Sequence, residues 1–299
     1  MRLWQNCSPR GRISARAEHR SRGPLIVVPA AIWLLLFFTL PLLIVVAISF
    51  AERGRAGGVK LPLVLTLEYY QRLVDPLYLG IFWSSVRLAL IVTLACVLIG
   101  YPMALFISRV APRRRNAMLL LVMIPFWTNF LVRTYALKLL LSAEGVVNNL
   151  LLGAGLVQAP LDLLFNNFAV VLGLVYGYFP FAVLPMYASI EKFDLTLVEA
   201  AADLGANLRR AFLRVMLPLT APGIIASVIL VFVPVVGAFI TPDIMGGGKV
   251  EMIGTLINRQ FGVARNWPFG SAMSLALMLM VVVGVIYYLR SSQEKERPL

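Results

Sequence analysis

Apolar residues fall into six long runs along this chain, at about residues 25–50, 81–108, 117–141, 167–190, 219–242 and 269–289, with short polar segments between them. A helix that crosses a bilayer takes about 20 apolar residues, so the pattern predicts six transmembrane helices. Prolines fall in most of the runs: Pro29, Pro41, Pro102, Pro125, Pro180, Pro185 and Pro234. Spanning helices tolerate proline where neighbours re-satisfy the freed carbonyls, so kinks are expected. Gly173 and Gly177 form a G-x-x-x-G in the fourth run, a spacing that permits close helix packing. Residues 1–24 are polar and hold six arginines. The 26-residue run after them is too long for a signal-peptide core. It reads as the first span, preceded by a basic cytoplasmic tail.

Composition sharpens this reading. Of the 299 residues 60% are hydrophobic and only 14% charged, where soluble domains are about half apolar and a quarter charged. A soluble enzyme, a disordered chain and a disulfide-rich secreted domain are excluded as classes. The net charge of +13 would suggest nucleic acid in a soluble protein; here basic residues in cytoplasmic loops account for it, and no nucleic-acid partner is implied. With both termini inside, the cytoplasmic segments 1–24, 109–116, 191–218 and 290–299 carry 17 Lys and Arg, against 7 in the outer segments. That bias predicts cytoplasmic N and C termini, with Arg113-Arg114-Arg115 as the clearest anchor. The organisation is then a tail at 1–24, a six-span domain at 25–290 and a short cytoplasmic tail at 291–299. Cys7, Cys96 and the only histidine, His19, form no ligand spacing, which excludes a His- or Cys-based metal site and a His-dependent triad.

The inner segment between the fourth and fifth runs, residues 191–218, is 28 residues long and not a simple hairpin. Thr196-x-x-Glu199 is spaced as a capping box and predicts a helix start. Ala200, Ala201 and Ala202 favour helix, and Gly205 is placed to end it in a left-handed conformation. Asn207 can cap a second helix through Met216, with Leu208, Ala211, Phe212 and Val215 on one face. Helices this short are marginal alone. They need the ends of this chain's own spans, or the groove of another protein, to pack against.

Glu199-Ala200-Ala201, then Gly205, then nine residues before Val215-Met216-Leu217-Pro218, resembles the E-A-A loop of binding-protein-dependent ABC importer permeases. Val215 stands where that pattern has Ile. Pro125 to Tyr135, Thr241 to Lys249, Met252-Ile253-Gly254 and Ala264 to Ser271 resemble the spermidine/putrescine permease subfamily. The resemblance implies an all-α integral membrane protein with the type I ABC importer permease fold, in a bacterial inner membrane. It also implies a second permease subunit, with a heterodimer expected, a cytosolic ABC ATPase dimer that binds ATP and Mg, and a periplasmic or lipid-anchored solute-binding protein. This chain would bind no cofactor and catalyse no hydrolysis itself. Glu199, Ala200, Ala201, Gly205, Leu217 and Pro218 would form the ATPase-docking loop, and the cargo would be a polyamine or a similar small polar solute.

Gly246-Gly247-Gly248-Lys249-Val250 is not a phosphate loop, because the G-x4-G-K-[ST] spacing is missing. A tight turn after the fifth run is the simpler role. The runs from 81 to 242 hold no Asp or Glu, so a cationic solute would rely on aromatic faces. Trp127, Tyr135, Tyr176 and Tyr178 are candidates for the path, with Asp243 at the end of the fifth run. Arg133 lies inside a run: it either faces a cavity or snorkels to the outer interface. If it faced the path it would suit an anionic solute, the alternative cargo. A stand-alone secondary transporter is the alternative class, but its buried Asp/Glu/His relays are missing. An integral-membrane enzyme would need a polar catalytic set, and none stands out.

Overall fold

A computed structural model describes residues 23–55, 57–60 and 64–294. The basic tail to residue 22, with Cys7 and His19, and residues 295–299 lie outside the described residues. Among the described residues the secondary structure is helical, with two isolated bridges, Ala51–Leu65 and Arg53–Val59. The chain divides into two units, residues 1–45 and 46–299. The first holds α1 (Gly23–Leu34), a π-helical turn at Leu35–Thr39 and the start of α2 (Leu40–Ser49). Ala31–Ser49 is long and apolar enough to cross a membrane.

The second unit begins with the rest of α2 and α3 (Glu68–Leu73). Its centre is α4 (Pro76–Arg109). Asp75 caps that helix, its side chain accepting from the Leu77 amide at 2.9 Å, and Pro76 occupies the first position, where a missing N–H costs nothing. Leu88, Val92, Cys96 and Ala104 of α4 are buried against Val170, Leu174, Val183 and Met186 further along the chain.

Where a single third helix, kinked by Pro125, was expected at 117–141, the chain breaks. Helix α5 (Pro112–Trp127) stops, and α6 (Phe130–Leu141) and α7 (Val146–Gly153) continue after a 91° bend. The cause is local. Pro125 cannot donate to the ladder, Thr128 is extended, and Asn129 starts a new helix by accepting from the Leu131 amide at 2.9 Å.

Helix α8 (Asn167–Glu191) is the fourth span. Next come α9 (Thr196–Asp203), α10 (Leu208–Ala211), a π-helical turn at Phe212–Met216 and α11 (Leu217–Leu219). After Thr220 the chain enters α12 (Ala221–Val236). Residues 208–219 and 221–236 meet at 64°, and α12 ends at Val236, earlier than the predicted 242. Among the described residues four helices are thus long and apolar enough to cross, and each bent pair taken as one span makes six.

Helix α12 packs closely on α8 because Gly223 carries no side chain; a Cβ there would collide with Ser189 and the Pro185 carbonyl. Helix α13 (Ile240–Gly246) ends in the expected turn, with φ +56° at Gly247 and +78° at Gly248. Helices α14 (Ile253–Phe261) and α15 (Trp267–Glu294) follow. The G-x-x-x-G glycines serve close approach: a Cβ on Gly173 would meet Met245 and Thr241 of α13, and one on Gly177 would lie 3.5 Å from the Arg133 guanidinium.

Candidate functional site

The loop after α8 folds as two short helices around a left-handed turn. The expected capping box does not form. Asp194 accepts from the Thr196 amide at 3.0 Å, so Thr196 is the first helical residue rather than the cap. That backbone hydrogen bond holds the Asp194 carboxyl below the usual carboxylate range. Glu199 stays in the first turn, exposed, where a negative charge suits the positive end of the helix.

The helix ends as the sequence predicts. Gly205 has φ +82°, its amide donates to the Ala202 carbonyl at 2.9 Å, and the Ala206 amide donates to the Ala201 carbonyl at 3.0 Å. This pair of bonds is the Schellman ending. A Cβ on Gly205 would meet nothing within 4 Å, so glycine is wanted there for its backbone freedom alone. Asn207 then caps α10, accepting from the Arg210 amide at 2.9 Å.

Ala211 and Met216 are buried beneath this knuckle, and Phe212, Val215 and Leu217 are half-buried. Leu208 was expected on the same face but stands 82% exposed, beside Leu204 at 90%. The two leucines flank Gly205 with none of the described residues over them. Ala200 and Pro218 are exposed and Ala201 is half-buried. A groove of about 340 Å3 runs alongside, lined by Leu105, Arg109, Val198, Leu208, Phe212 and Met216.

Arg115 ties the base of the loop to the spans. Its Nη1 donates to Glu191 Oε1 at 2.8 Å and its Nη2 to the Ser108 carbonyl at 2.8 Å. One guanidinium therefore sits at the C-terminal ends of both α4 and α8, where the helix dipoles favour a cation.

The second cluster lies at the break between α5 and α6. Arg133 Nη1 donates to the Pro125 carbonyl at 2.6 Å. Its guanidinium lies 5.2 Å from the Phe130 ring centroid and 5.7 Å from that of Tyr176. With the Thr128 hydroxyl, which donates to the same oxygen at 2.7 Å, it satisfies the backbone that the break leaves open. Tyr178 and Phe130 line a cavity of about 220 Å3 with Pro234, Gly237 and Phe239. Trp127 and Tyr135 are exposed, with Lys138 over the Tyr135 and Phe165 rings at 5.9 and 5.6 Å. Asp243 stands elsewhere, paired at 3.3 Å with Arg259, which also bonds Glu251. The structure thus gathers Arg133, Tyr176 and Tyr178, and leaves Trp127, Tyr135 and Asp243 apart from them. Sequence reasoning missed Phe130, Arg259 and the second role of Arg115, read there only as a topological anchor. Phe130 is three residues from Arg133 on one helix, a spacing that could have found it, whereas local spacing carries no signal for the partners of Arg115, 76 residues away, or of Arg259.

The sequence matches the family described as binding-protein-dependent transport system inner membrane component over residues 96–294. It is 43% identical over 261 residues to the spermidine/putrescine transport system permease protein PotB of Haemophilus influenzae, covering 87% of this chain and 91% of that one. It is 44% identical over 268 residues to the Escherichia coli PotB, covering 90% and 97%. In fold it resembles a chain of the bacterial alginate ABC transporter solved in complex with an alginate pentasaccharide-bound periplasmic protein. The TM-score is 0.71 at 18% identity, over 92% of this chain and 94% of that one.

Proposed function

This chain belongs to the binding-protein-dependent transport system inner membrane components, as a multi-pass permease subunit of an ABC importer, and we propose that the solute it passes is a polyamine. The observation that carries the proposal is the 43% and 44% identity, over nearly the whole chain, to permeases named for spermidine and putrescine.

In this reading the N and C termini are cytoplasmic, and ATP and Mg bind to a separate cytosolic ATPase dimer. That dimer docks on the knuckle: Leu204 and Leu208 enter its groove, Gly205 shapes the turn, and Glu199, Ala200 and Ala201 present the first helix. Leu217 and Pro218 lead back to the spans. A second, different permease subunit completes the path and a solute-binding protein delivers cargo outside; the alginate transporter structure includes a periplasmic protein of that kind. Closure of the ATPase dimer moves the knuckles and opens the path outward.

Competition for uptake in cells carrying the whole transporter tests the cargo. Excess putrescine or spermidine is expected to suppress uptake of labelled polyamine. No suppression would remove the polyamine and leave the importer class standing.

A further inference from the structure

The segment leaving the knuckle enters α12 through Thr220, at the 64° bend. Thr220 is 1% exposed. Its hydroxyl lies 2.8 Å from the Met216 carbonyl, to which it donates, and 2.9 Å from the Tyr101 hydroxyl of α4. With the threonine proton committed to Met216, Tyr101 is the donor of the second bond. The Tyr101 ring also packs edge-on against Phe212, centroids 5.8 Å apart. Ser189 of α8 donates to the Thr220 carbonyl at 3.3 Å. One α4 side chain therefore grips the departing segment at two places, residues 212 and 220, on either side of the last turn before the bend.

We propose that Tyr101 and Thr220 are a positioning pair that carries displacement of the docked knuckle into α4. The proposal rests on reading residues 191–218 as the ATPase-docking loop. A buried hydroxyl pair leaves unmet polar atoms if its members part, and packed side chains exchange between discrete arrangements rather than stretch. The pair therefore makes the segment and α4 move together, where a flexible connection would absorb the motion within the loop.

The test is a distance in the complete transporter, with ATPase, second permease and binding protein. Spin labels are placed at Leu204→Cys on the knuckle and Leu98→Cys on α4, both exposed, in a Cys7→Ser background. With the pair intact, the distance is expected to be equal in the nucleotide-free and ATP-trapped states. In Tyr101→Phe, which removes only the hydroxyl, and in Thr220→Val, it is expected to shift by about 1–5 Å, the scale of helix shifts and one-turn ratchets, while the ATPase still co-purifies. A distance that already shifts with the pair intact, or stays fixed in both variants, overturns the proposal. Failure of the docking reading shows separately, as an ATPase that remains bound to Gly205→Glu.

Discussion

Gly205 illustrates how one residue governs the loop. With φ +82° and open space where a Cβ would go, any other residue costs about 1–2 kcal/mol of backbone strain, and the knuckle loses its shape before it loses a contact. Gly205→Glu should insert normally, because the spans are untouched, while ATPase co-purification and uptake fall together. Uptake lost with ATPase binding and stimulated hydrolysis intact would remove Gly205 from docking. Glu199→Ala should be mild toward folding, since Asp194 and not the Thr196–Glu199 box holds the start of α9. Any loss it causes should appear in ATPase affinity. The Asp194 carboxyl, held below its usual range by the Thr196 amide, contributes its share above the ordinary carboxylate pKa. That share is lost only as pH falls through the lowered value, so α9 is insensitive to pH near neutrality.

Among the elements, the broken third span is the one whose chemistry is open to direct test. Arg133 and the Thr128 hydroxyl both donate to the Pro125 carbonyl at a 91° bend, so that oxygen keeps a partner when the guanidinium is removed. For a polyamine, Arg133→Gln should leave uptake largely intact at normal expression. Arg133→Leu leaves the Thr128 hydroxyl on that carbonyl and removes the guanidinium's contacts with the Phe130 and Tyr176 rings, so the yield of assembled transporter should fall only slightly. Sharp loss of uptake in Arg133→Gln with normal assembly would favour an anionic solute held directly by the guanidinium.

For the whole molecule the decisive quantity is orientation, because residues 191–218, proposed as the docking loop, must face the cytosol to meet an ATPase. In the proposed orientation, which rests on the bias of 17 against 7 basic residues, Cys7 lies inside, and Cys96 is fully buried on α4. A membrane-impermeant thiol reagent should miss both in intact cells and label Cys7 in inverted vesicles. Labelling of Cys7 from outside would reverse the topology and put residues 191–218 on the wrong face.

The sequence alone determined the membrane class, the six apolar runs, the turn at Gly205, the Asn207 cap and the family. Each follows from local regularities: hydrophobic length, backbone permissiveness, a short polar side chain reaching its own helix end, or a motif of fixed spacing. Tertiary structure alone decided the rest. Apolar length reports that a segment can sit in a bilayer, and Pro125 that its helix can kink, but neither gives a full break at Thr128–Asn129 or the bend at Thr220. Helical periodicity put Leu208 with Ala211 and Phe212, but what covers a face depends on neighbours, and α4 and α8 leave Leu208 bare. Arg133, Arg115 and Tyr101 took their roles from partners that only packing brings near: a carbonyl across a break, a carboxylate 76 residues away and a hydroxyl 119 residues away.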